Sequence, residues 1–452
     1  MTRLFFDHAL TSDGWAEKVS IQIDGAGNIT AVETDTSDDN ANHRAFVALP
    51  GIPNIHSHAF QRAMAGRAEI KGDTADTFWT WRQVMYQFLE RITPDDLFAI
   101  ASMAYCEMLE AGFTSVCEFH YLHHAPDGSP YSDIGEMANA IVEAAKETGI
   151  GLTLLPVYYA HSQFGGAAPD EKQRRFINNI DQFAKLLGRV DDLVTAIPDA
   201  KVGIAPHSLR AVTAESLTQL STLKPDAPMH IHIAEQIKEV EDCLIWSEER
   251  PVNWLMEHAE VNERWCLVHA THLSTYEREQ IIKSGAIAGL CPITEANLGD
   301  GIFNGVDFLT DGGRIGIGSD SNVLISVAEE LRTLEYSQRL RDRGRNMLSQ
   351  AHKSTGQHLV EKVLQGGAQA SGRKIGKLAP GYRGDIIALD QNHPAFAGVE
   401  RESWMNNWVF AANSPALSNV WVCGQLLMST GQHHKREKIR ARYAQTMRGL
   451  LA

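Results

Sequence analysis

The tripeptide His56-Ser57-His58 is the part of the sequence best suited to metal chemistry. It follows an apolar run, residues 48–55, that is typical of a buried β-strand. In an extended chain, side chains two residues apart point to the same side, so both imidazoles can reach one ion. Imidazole nitrogens suit Zn²⁺, and Fe²⁺ or Mn²⁺ are the alternatives. The tripeptide therefore predicts half of a divalent-metal site.

Two histidines are too few for a catalytic metal site, and two distant residues are the natural completion. His232 ends an apolar run in the middle of the chain, and Asp320 follows the last such run. Three imidazoles and one carboxylate leave a coordination position for water, as catalytic zinc requires. We therefore predict that His56, His58, His232 and Asp320 bind one metal ion.

Residues so far apart in the chain must be carried by elements whose ends converge. Eight strand-like apolar runs alternate with segments of helical spacing, at residues 48–55, 113–119, 152–158, 201–206, 229–233, 265–268, 286–290 and 314–318. This alternation favours an α/β fold, a (β/α)₈ TIM barrel, over the alternative of a doubly wound open sheet.

Nearly every run ends in polar residues, and in a barrel these ends meet at the rim where active sites are built. In chain order these residues are His56, His58, Glu118, His120, Tyr121, Tyr158, Tyr159, His161, His207, His232, Glu235, His269, Cys291, Glu295 and Asp320. Histidines after five or more of eight strands are hard to explain as isolated structural residues. The pattern therefore predicts one active-site rim.

Both ends of the chain contain short alternating segments separated by turn residues, which is typical of β-hairpins. They predict a small β-sandwich domain built from residues 1–48 and 375–430. The barrel would then cover residues 49–374. Residues 431–452 are predicted to form a basic C-terminal helix at the surface.

Composition and charge limit the class of protein and its partners. The 452 residues are 44% hydrophobic and 21% charged, as in a globular protein with a large core. The net charge of −15 disfavours nucleic acid and anionic membranes. The six cysteines contain no C-x-x-C pair, and no apolar stretch approaches the ~20 residues that span a membrane. We therefore expect a cytoplasmic protein whose partner is a small molecule.

Several of these segments resemble the amidohydrolase superfamily in its mononuclear deaminase branch. The similar segments are residues 50–58, 232–235, 268–270, 318–321 and 380–385. The resemblance implies a distorted barrel with one zinc ion per chain, and a homodimer is common among relatives of this fold. Binuclear members place a carboxylated lysine at the end of the fourth strand. Here no lysine ends the fourth run, and His207 stands nearby instead.

The resemblance and the chemistry of the side chains together imply catalytic roles. Bound Zn²⁺ lowers the pKa of its water toward ~7. His269 is expected to accept the proton of that water or to polarise the attacked centre. Glu235, three residues after His232, is expected to carry a proton to the leaving nitrogen. Asp320 would ligate the metal and take a proton.

Three segments also resemble the formimidoylglutamate deiminase family, at residues 56–62, 78–82 and 291–301. The resemblance implies hydrolysis of N-formimidoyl-L-glutamate to N-formyl-L-glutamate and ammonia in histidine degradation. The two carboxylates of that substrate call for guanidinium groups, and Arg82 and Arg210 are the candidates. Gln61 and Tyr121 offer further hydrogen bonds, and His207 is expected to bind the substrate as well.

Two alternatives remain open at this point. A related deaminase acting on a purine, a pyrimidine or a chloro-triazine would need aromatic and amide contacts instead of paired arginines. A barrel that serves as a non-catalytic scaffold would lack one or more metal ligands. Residues 77–82 are expected to lie above the metal as a lid. The individual roles of Trp79, Trp81 and Glu295 are left open.

Overall fold

The computed structural model describes residues 1–37, 39–71, 77–413 and 416–452. The strands in these ranges form two sheets. Numbered along the chain, the strands are β1 (Thr2–Thr11), β2 (Gly14–Ile23), β3 (Ile29–Glu33), β4 (His43–Pro50), β5 (Ile52–Ser57), β6 (Phe113–His120), β7 (Gly151–Tyr158), β8 (Lys201–Val202), β9 (Ala205–Pro206), β10 (Met229–Ile233), β11 (Trp265–His269), β12 (Ile287–Leu290), β13 (Arg314–Ile317), β14 (Ile386–Leu389), β15 (Leu417–Val422), β16 (Gln425–Ser429) and β17 (Gln432–His433).

Helices connect the strands in the middle of the chain, and a helix is also the last element of the chain. They are α1 (Phe78–Leu89), α2 (Pro94–Ala111), α3 (Glu136–Thr148), α4 (Ile180–Val194), α5 (Ala214–Leu223), α6 (Ile237–Ser247), α7 (Pro251–His258), α8 (Thr275–Ser284), α9 (Pro292–Leu298), α10 (Gly305–Thr310), α11 (Val327–Asp342), α12 (Thr355–Ser371), α13 (Trp404–Phe410) and α14 (Arg436–Leu451). Short 3₁₀ turns cover Ala59–Met64, Glu171–Gln173, Pro394–Phe396 and Arg401–Ser403.

The parallel sheet is the predicted barrel. Its strands pair in the order β10-β11-β12-β13-β5-β6-β7-β8, and β9 also pairs with β7. The ring closes between β8/β9 and β10, where a bridge joins Ile204 to Met229. The fourth strand position of the barrel is divided between two short strands, β8 and β9, so the barrel is distorted. The barrel strands are almost entirely buried, as expected when helices cover a parallel sheet.

The second sheet is built from both ends of the chain, in the order β17-β16-β15-β14-β4-β1-β2-β3. It is antiparallel except where β1 pairs with β4. This confirms the small β domain assembled from both ends. The boundaries predicted for the two domains stay a proposal.

The predicted first strand, residues 48–55, is divided between the two sheets. β4 ends in the second sheet at Pro50, and β5 begins in the barrel at Ile52. Gly51 lies at the crossing, where a Cβ atom would stand 2.2 Å from the Thr114 hydroxyl oxygen. The backbone approaches β6 so closely here that no larger residue fits.

Helix α2 shows how local sequence fixes an element next to the site. Thr93 caps its N-terminus by accepting a hydrogen bond from the backbone N–H of Asp96, whose carboxylate accepts in return from the backbone N–H of Thr93. Pro94 occupies the first helical position, and the helix ends at Gly112, which has a φ of 101°. Helix α14 packs against α2 through Ile439. No helix in the described ranges is long and apolar enough to span a membrane.

Candidate active site

Four side chains converge at one end of the barrel. The Nε2 atom of His56 lies 3.1 Å from Nε2 of His58 and 3.0 Å from Nε2 of His232. Asp320 Oδ1 lies 3.5 Å from His56 Nε2 and 3.4 Å from His58 Nε2. Ligands about 2.1 Å from a zinc ion stand at comparable distances from one another, about 3.0–3.5 Å. His56, His58 and Asp320 offer ligand atoms within 4.8 Å of one another, and so do His56, His232 and His269, so His56 joins the four predicted ligands in two overlapping groups.

The hydrogen bonds behind two of the imidazoles fix which nitrogen faces that position. His58 Nδ1 donates to the carbonyl oxygen of Phe119 at 2.9 Å, and His232 Nδ1 donates to that of His207 at 3.0 Å. A carbonyl oxygen only accepts, so the hydrogen sits on Nδ1 and the lone pair on Nε2. Burial also lowers the pKa of His56 to about 3, which keeps that ring neutral.

The Nε2 lone pairs of His58 and His232 both point at His56 Nε2, and a neutral His56 can donate a hydrogen to at most one of them, so at least one contact is repulsive. A cation between them removes the repulsion, and Asp320 supplies the negative charge that such a cation needs. Burial opposes ionisation of Asp320, but hydrogen bonding to His56 and the fields of His56, His269 and His58 outweigh it. The pKa of Asp320 is therefore held below its usual range. The donor set fits a divalent metal.

A buried asparagine joins the two segments that carry these residues. Asn322 Nδ2 lies 3.1 Å from Ser57 Oγ, 3.1 Å from the His58 carbonyl oxygen and 3.0 Å from that of Asp320. Its Oδ1 accepts from Ser319 Oγ at 2.6 Å. Asp320 and Asn322 have φ of 44° and 54°, a region that aspartate and asparagine tolerate better than most residues. The turn after β13 is thus tied to the end of β5.

His269 lies beside the four-residue centre and is surrounded by carboxylates. Its Nε2 is 3.7 Å from Glu235 Oε1 and 3.8 Å from Asp320 Oδ2, and its Nδ1 is 3.3 Å from Glu295 Oε1. Burial opposes protonation of His269, but Glu235, Glu295 and Asp320 outweigh burial and raise its pKa to about 10. Burial raises the pKa of Glu235 to about 7, although His269 opposes the change. Glu235 therefore has a pKa suited to proton transfer near neutral pH, whereas His269 stays protonated there.

Glu295, whose role the sequence left open, holds His269 in place. Its Oε1 atom accepts the backbone N–H of Cys291 at 2.8 Å and faces His269 Nδ1. The carboxylate is 5% exposed. Glu295 orients the imidazole through its Nδ1 atom, as a carboxylate commonly does for a functional histidine.

One cavity opens onto the metal position, and every residue predicted to contact the substrate lines it. These residues are Gln61, Arg82, Tyr121, His207 and Arg210. Gln61 Nε2 donates to the Tyr121 hydroxyl at 3.1 Å. Burial, with Arg210 and Arg82 adding to it, lowers the pKa of His207 well below its usual value, so that ring is neutral.

The two arginines differ in how their charge is balanced. Arg210 Nη1 lies 3.3 Å from Glu239 Oε2, and both side chains are buried. Arg82 Nη2 donates to the hydroxyl of Tyr159 at 3.0 Å. Arg210 is thus paired with a carboxylate, whereas no ion pair to a carboxylate is found for Arg82 within the described residues. The Trp79 ring lies near both guanidinium carbons, at 5.8 Å from Arg82 and 6.0 Å from Arg210.

Helix α1 supplies one wall of this cavity. Its N-terminus is capped by Thr77, and Phe78, Trp81, Arg82 and Met85 face the cavity. This is the segment expected to act as a lid. Within this helix, Trp81 lines the cavity, whereas the Trp79 ring lies near the guanidinium groups of Arg82 and Arg210.

Some strand-end residues do not reach the cavity, and two important ones were missed. His120 and His161 do not line it, and Glu118 accepts the backbone N–H of Ala59 at 2.7 Å beneath it. Sequence reasoning missed Glu239 and Asp300. Glu239 stands one helical turn after Glu235, and Asp300 lies within the segment 291–301, so both had a detectable signal.

Comparison with known proteins agrees with this geometry. The sequence profile of the amidohydrolase family matches residues 47–427. The chain belongs to the amidohydrolase family. A profile described as the N-terminal domain of the formimidoylglutamate deiminase HutF matches residues 1–45. The formimidoylglutamate deiminase of Pseudomonas aeruginosa is 48% identical over 453 residues, covering 100% of both chains. The predicted family is therefore confirmed.

Two solved structures share the fold of this chain. The crystal structure of an amidohydrolase from Brucella melitensis has a TM-score of 0.97 and 48% identity, covering 100% of both chains. The crystal structure of the atrazine chlorohydrolase TrzN from Arthrobacter aurescens TC1, complexed with zinc, has a TM-score of 0.84. That match covers 99% of this chain and 100% of the other, at 20% identity, and so shows the fold alone.

Proposed function

We propose that this chain hydrolyses N-formimidoyl-L-glutamate to N-formyl-L-glutamate and ammonia, a reaction of histidine degradation. The observation that carries the proposal is the cavity itself, which combines a metal-binding donor set with two guanidinium groups. The first suits hydrolysis of an amidine, and the second suits a substrate with two carboxylates. The full-length similarity to a formimidoylglutamate deiminase supports the same substrate.

His56, His58, His232 and Asp320 are proposed to hold one Zn²⁺, with Fe²⁺ or Mn²⁺ as alternatives. When bound, such an ion lowers the pKa of a water molecule toward ~7 and thereby supplies a nucleophile at neutral pH. The chain's own contribution is to orient the donors through the carbonyl groups of Phe119 and His207 and through Asn322.

Three side chains are proposed to handle protons and developing charge. Asp320 and Glu235 take the protons released by the attacking water, and Glu235 delivers one to the nitrogen that leaves as ammonia. His269 was expected either to accept a proton or to polarise the attacked centre. Its raised pKa, about 10, favours the second role, because an imidazolium donates a hydrogen bond to developing negative charge.

Substrate recognition is assigned to the residues on the other walls of the cavity. Arg82 and Arg210 are proposed to bind the two carboxylates, with Gln61 and Tyr121 donating further hydrogen bonds. Arg82 has the unbalanced charge and is therefore proposed as the stronger anchor. Neutral His207 is proposed to hydrogen-bond the substrate without adding charge.

An ammonia-release assay over a panel of compounds tests the proposal. The panel holds N-formimidoyl-L-glutamate, N-formimidoyl-L-aspartate, formamidine, guanine and cytosine, with chloride release measured for a chloro-triazine. We expect the highest kcat/KM with N-formimidoyl-L-glutamate and a product with the mass of N-formyl-L-glutamate. A higher kcat/KM with any nucleobase or triazine would reject the proposed substrate. Absence of turnover of every compound by zinc-loaded protein would favour the scaffold.

A further inference from the structure

A second group of potential metal ligands lies beside the four-residue centre and shares none of its residues. Glu235, His269 and Asp300 each offer one ligand atom, and these atoms lie within 4.8 Å of one another. All three side chains are buried, with relative exposures of 5%, 1% and 4%. One nitrogen and two carboxylate oxygens form a donor set that zinc accepts.

Asp300 is the member of this group for which the catalytic scheme has no use. One carboxylate oxygen, Oδ1, accepts a hydrogen bond from the Gln236 amide. The other, Oδ2, is buried and has no hydrogen-bond partner within the described part of the chain. Burying a carboxylate oxygen without a partner is costly, so such an atom next to two other donors points to a missing cation or proton.

The charges around His269 lead to the same conclusion. Four carboxylates, those of Glu235, Glu295, Asp300 and Asp320, act on one imidazole. A metal in the four-residue centre balances Asp320, and the other three carboxylates are then left with His269 and Arg210 as the cations near them. Burial raises the pKa of Asp300 to about 9, and Glu235 adds to the rise while His269 opposes it. This pocket therefore attracts a further positive charge.

We propose that Glu235, His269 and Asp300 form a second, weaker zinc site whose occupation inhibits the enzyme. His269 Nε2 and Glu235 Oε1 are 3.7 Å apart, close to the ~3.4 Å separation of two ligands in a tetrahedral zinc site. The ligand atom of Asp300 lies within 4.8 Å of the other two and supplies the third donor. The second site is weaker than the first because the first ion repels a second one nearby.

Inhibition follows because the second ion occupies the groups assigned to proton transfer. Glu235 cannot carry a proton to the leaving nitrogen while it is bound to zinc, and His269 cannot donate a hydrogen bond from a coordinated nitrogen. This half of the inference rests on the proposed function. Binding of the second ion does not, because it depends only on the three donors.

The test counts bound zinc and measures turnover in the same samples. Protein with one equivalent of zinc is dialysed against rising zinc concentrations, into the millimolar range, and bound metal is measured by elemental analysis. We expect a second equivalent to bind and kcat to fall in parallel with it. A wild-type protein that stays at one equivalent overturns the site. A second equivalent that binds without loss of turnover of N-formimidoyl-L-glutamate overturns the inhibition alone.

The Asp300→Asn variant tests where the second ion binds. Asp226→Asn is the matched control, because it replaces the same carboxylate with the same amide at an exposed position. Asp300→Asn should keep the first equivalent and bind the second at least about tenfold more weakly. Asp226→Asn should bind both equivalents as the wild type does. Unchanged binding of the second equivalent by Asp300→Asn contradicts the assignment.

A second measurement uses the wild-type protein, so it does not depend on whether Asp300→Asn folds. Wild-type crystals are soaked in excess zinc and examined by anomalous diffraction at the zinc edge. The inference requires a second peak within bonding distance of Glu235, His269 and Asp300. A second peak elsewhere, or none, overturns the site. This readout stands even if the substrate assay fails, so the two proposals are tested separately.

Discussion

The Nε2 atoms of His56 and His232 lie 3.0 Å apart, although the two residues are separated by 176 positions in the sequence. His232 carries its hydrogen on Nδ1, so its Nε2 lone pair points at His56 Nε2, and the Nε2 lone pair of His58 points at the same atom. Such an approach is unfavourable without a cation between the rings. The fold thus brings together imidazoles whose nitrogens suit a shared cation.

Chelation should abolish turnover, and one equivalent of Zn²⁺ should restore it, because the ion activates the attacking water. His56→Ala should lose both bound zinc and activity. His161→Ala is the matched control, since His161 also follows a barrel strand but does not line the cavity. Elemental analysis and ammonia release check both variants. Full activity in chelated protein, or in His56→Ala, would contradict the metal assignment.

Glu235→Gln should lower kcat by about 10²- to 10⁴-fold, the usual contribution of general acid–base catalysis, while the zinc content stays at one equivalent. The amide keeps the size of the side chain but cannot carry the proton. Glu241→Gln, an exposed position on α6, should behave as the wild type. If Glu235→Gln lost its zinc, Glu235 would be a metal ligand and its assigned role would be wrong.

Arg82→Met should raise KM for N-formimidoyl-L-glutamate by about 10- to 100-fold, the value of one charged hydrogen-bond pair. Turnover of formamidine, which has no carboxylate, should not change. Arg82 is the cleaner test of the two arginines, because removing Arg210 leaves Glu239 buried without its partner. Exposed Arg345→Met serves as the control. An unchanged KM in Arg82→Met would show that this arginine does not bind a carboxylate.

Asn322→Ala should weaken zinc binding by about 10- to 100-fold, as loss of an outer partner of metal ligands commonly does. The reason is that Asn322 ties the His58 backbone to the Asp320 turn. Asn346→Ala removes an asparagine of nearly the same positive φ, 53°, at an exposed position, and should leave zinc affinity unchanged. Competition with a chromogenic chelator measures both. Equal zinc affinities in the two variants would count against this bracing role.

Gly51→Ala should destabilise the fold by about 1–3 kcal/mol, because its Cβ would overlap Thr114 at the crossing between the two sheets. Gly188→Ala is the control, since a Cβ there meets nothing within 4 Å and lies in the middle of α4. Thermal unfolding followed by circular dichroism should show a lower midpoint for Gly51→Ala and an equal or higher one for Gly188→Ala. A midpoint for Gly51→Ala equal to that of the wild type would contradict the close approach.

The barrel and the residues at its rim could be predicted because both depend on local pattern. Apolar runs identify strands, and a polar residue at the end of a run identifies a side chain at the rim. His232 and Asp320 are predicted as metal ligands in this way, and that assignment stays a prediction. The division of the first run at Gly51 was not predicted, because both halves are apolar and only the pairing partners differ.

The balance of charges at the site could not be predicted from pattern. The pairing of Arg210 with Glu239, and the contact of Glu295 with His269, depend on side-chain directions that only the assembled barrel fixes. Asp300 lies in a conspicuous segment, yet its neighbour Glu235 comes from a different strand end. Distances across the barrel, and not spacing along the chain, decide these roles.

The central claim is that three imidazoles and one carboxylate hold a single ion. Anomalous diffraction at the zinc edge, on crystals of protein with one equivalent of zinc, tests this most directly. We predict one peak about 2.0–2.2 Å from Nε2 of His56, His58 and His232 and from a carboxylate oxygen of Asp320. A peak bound by other residues would contradict the account.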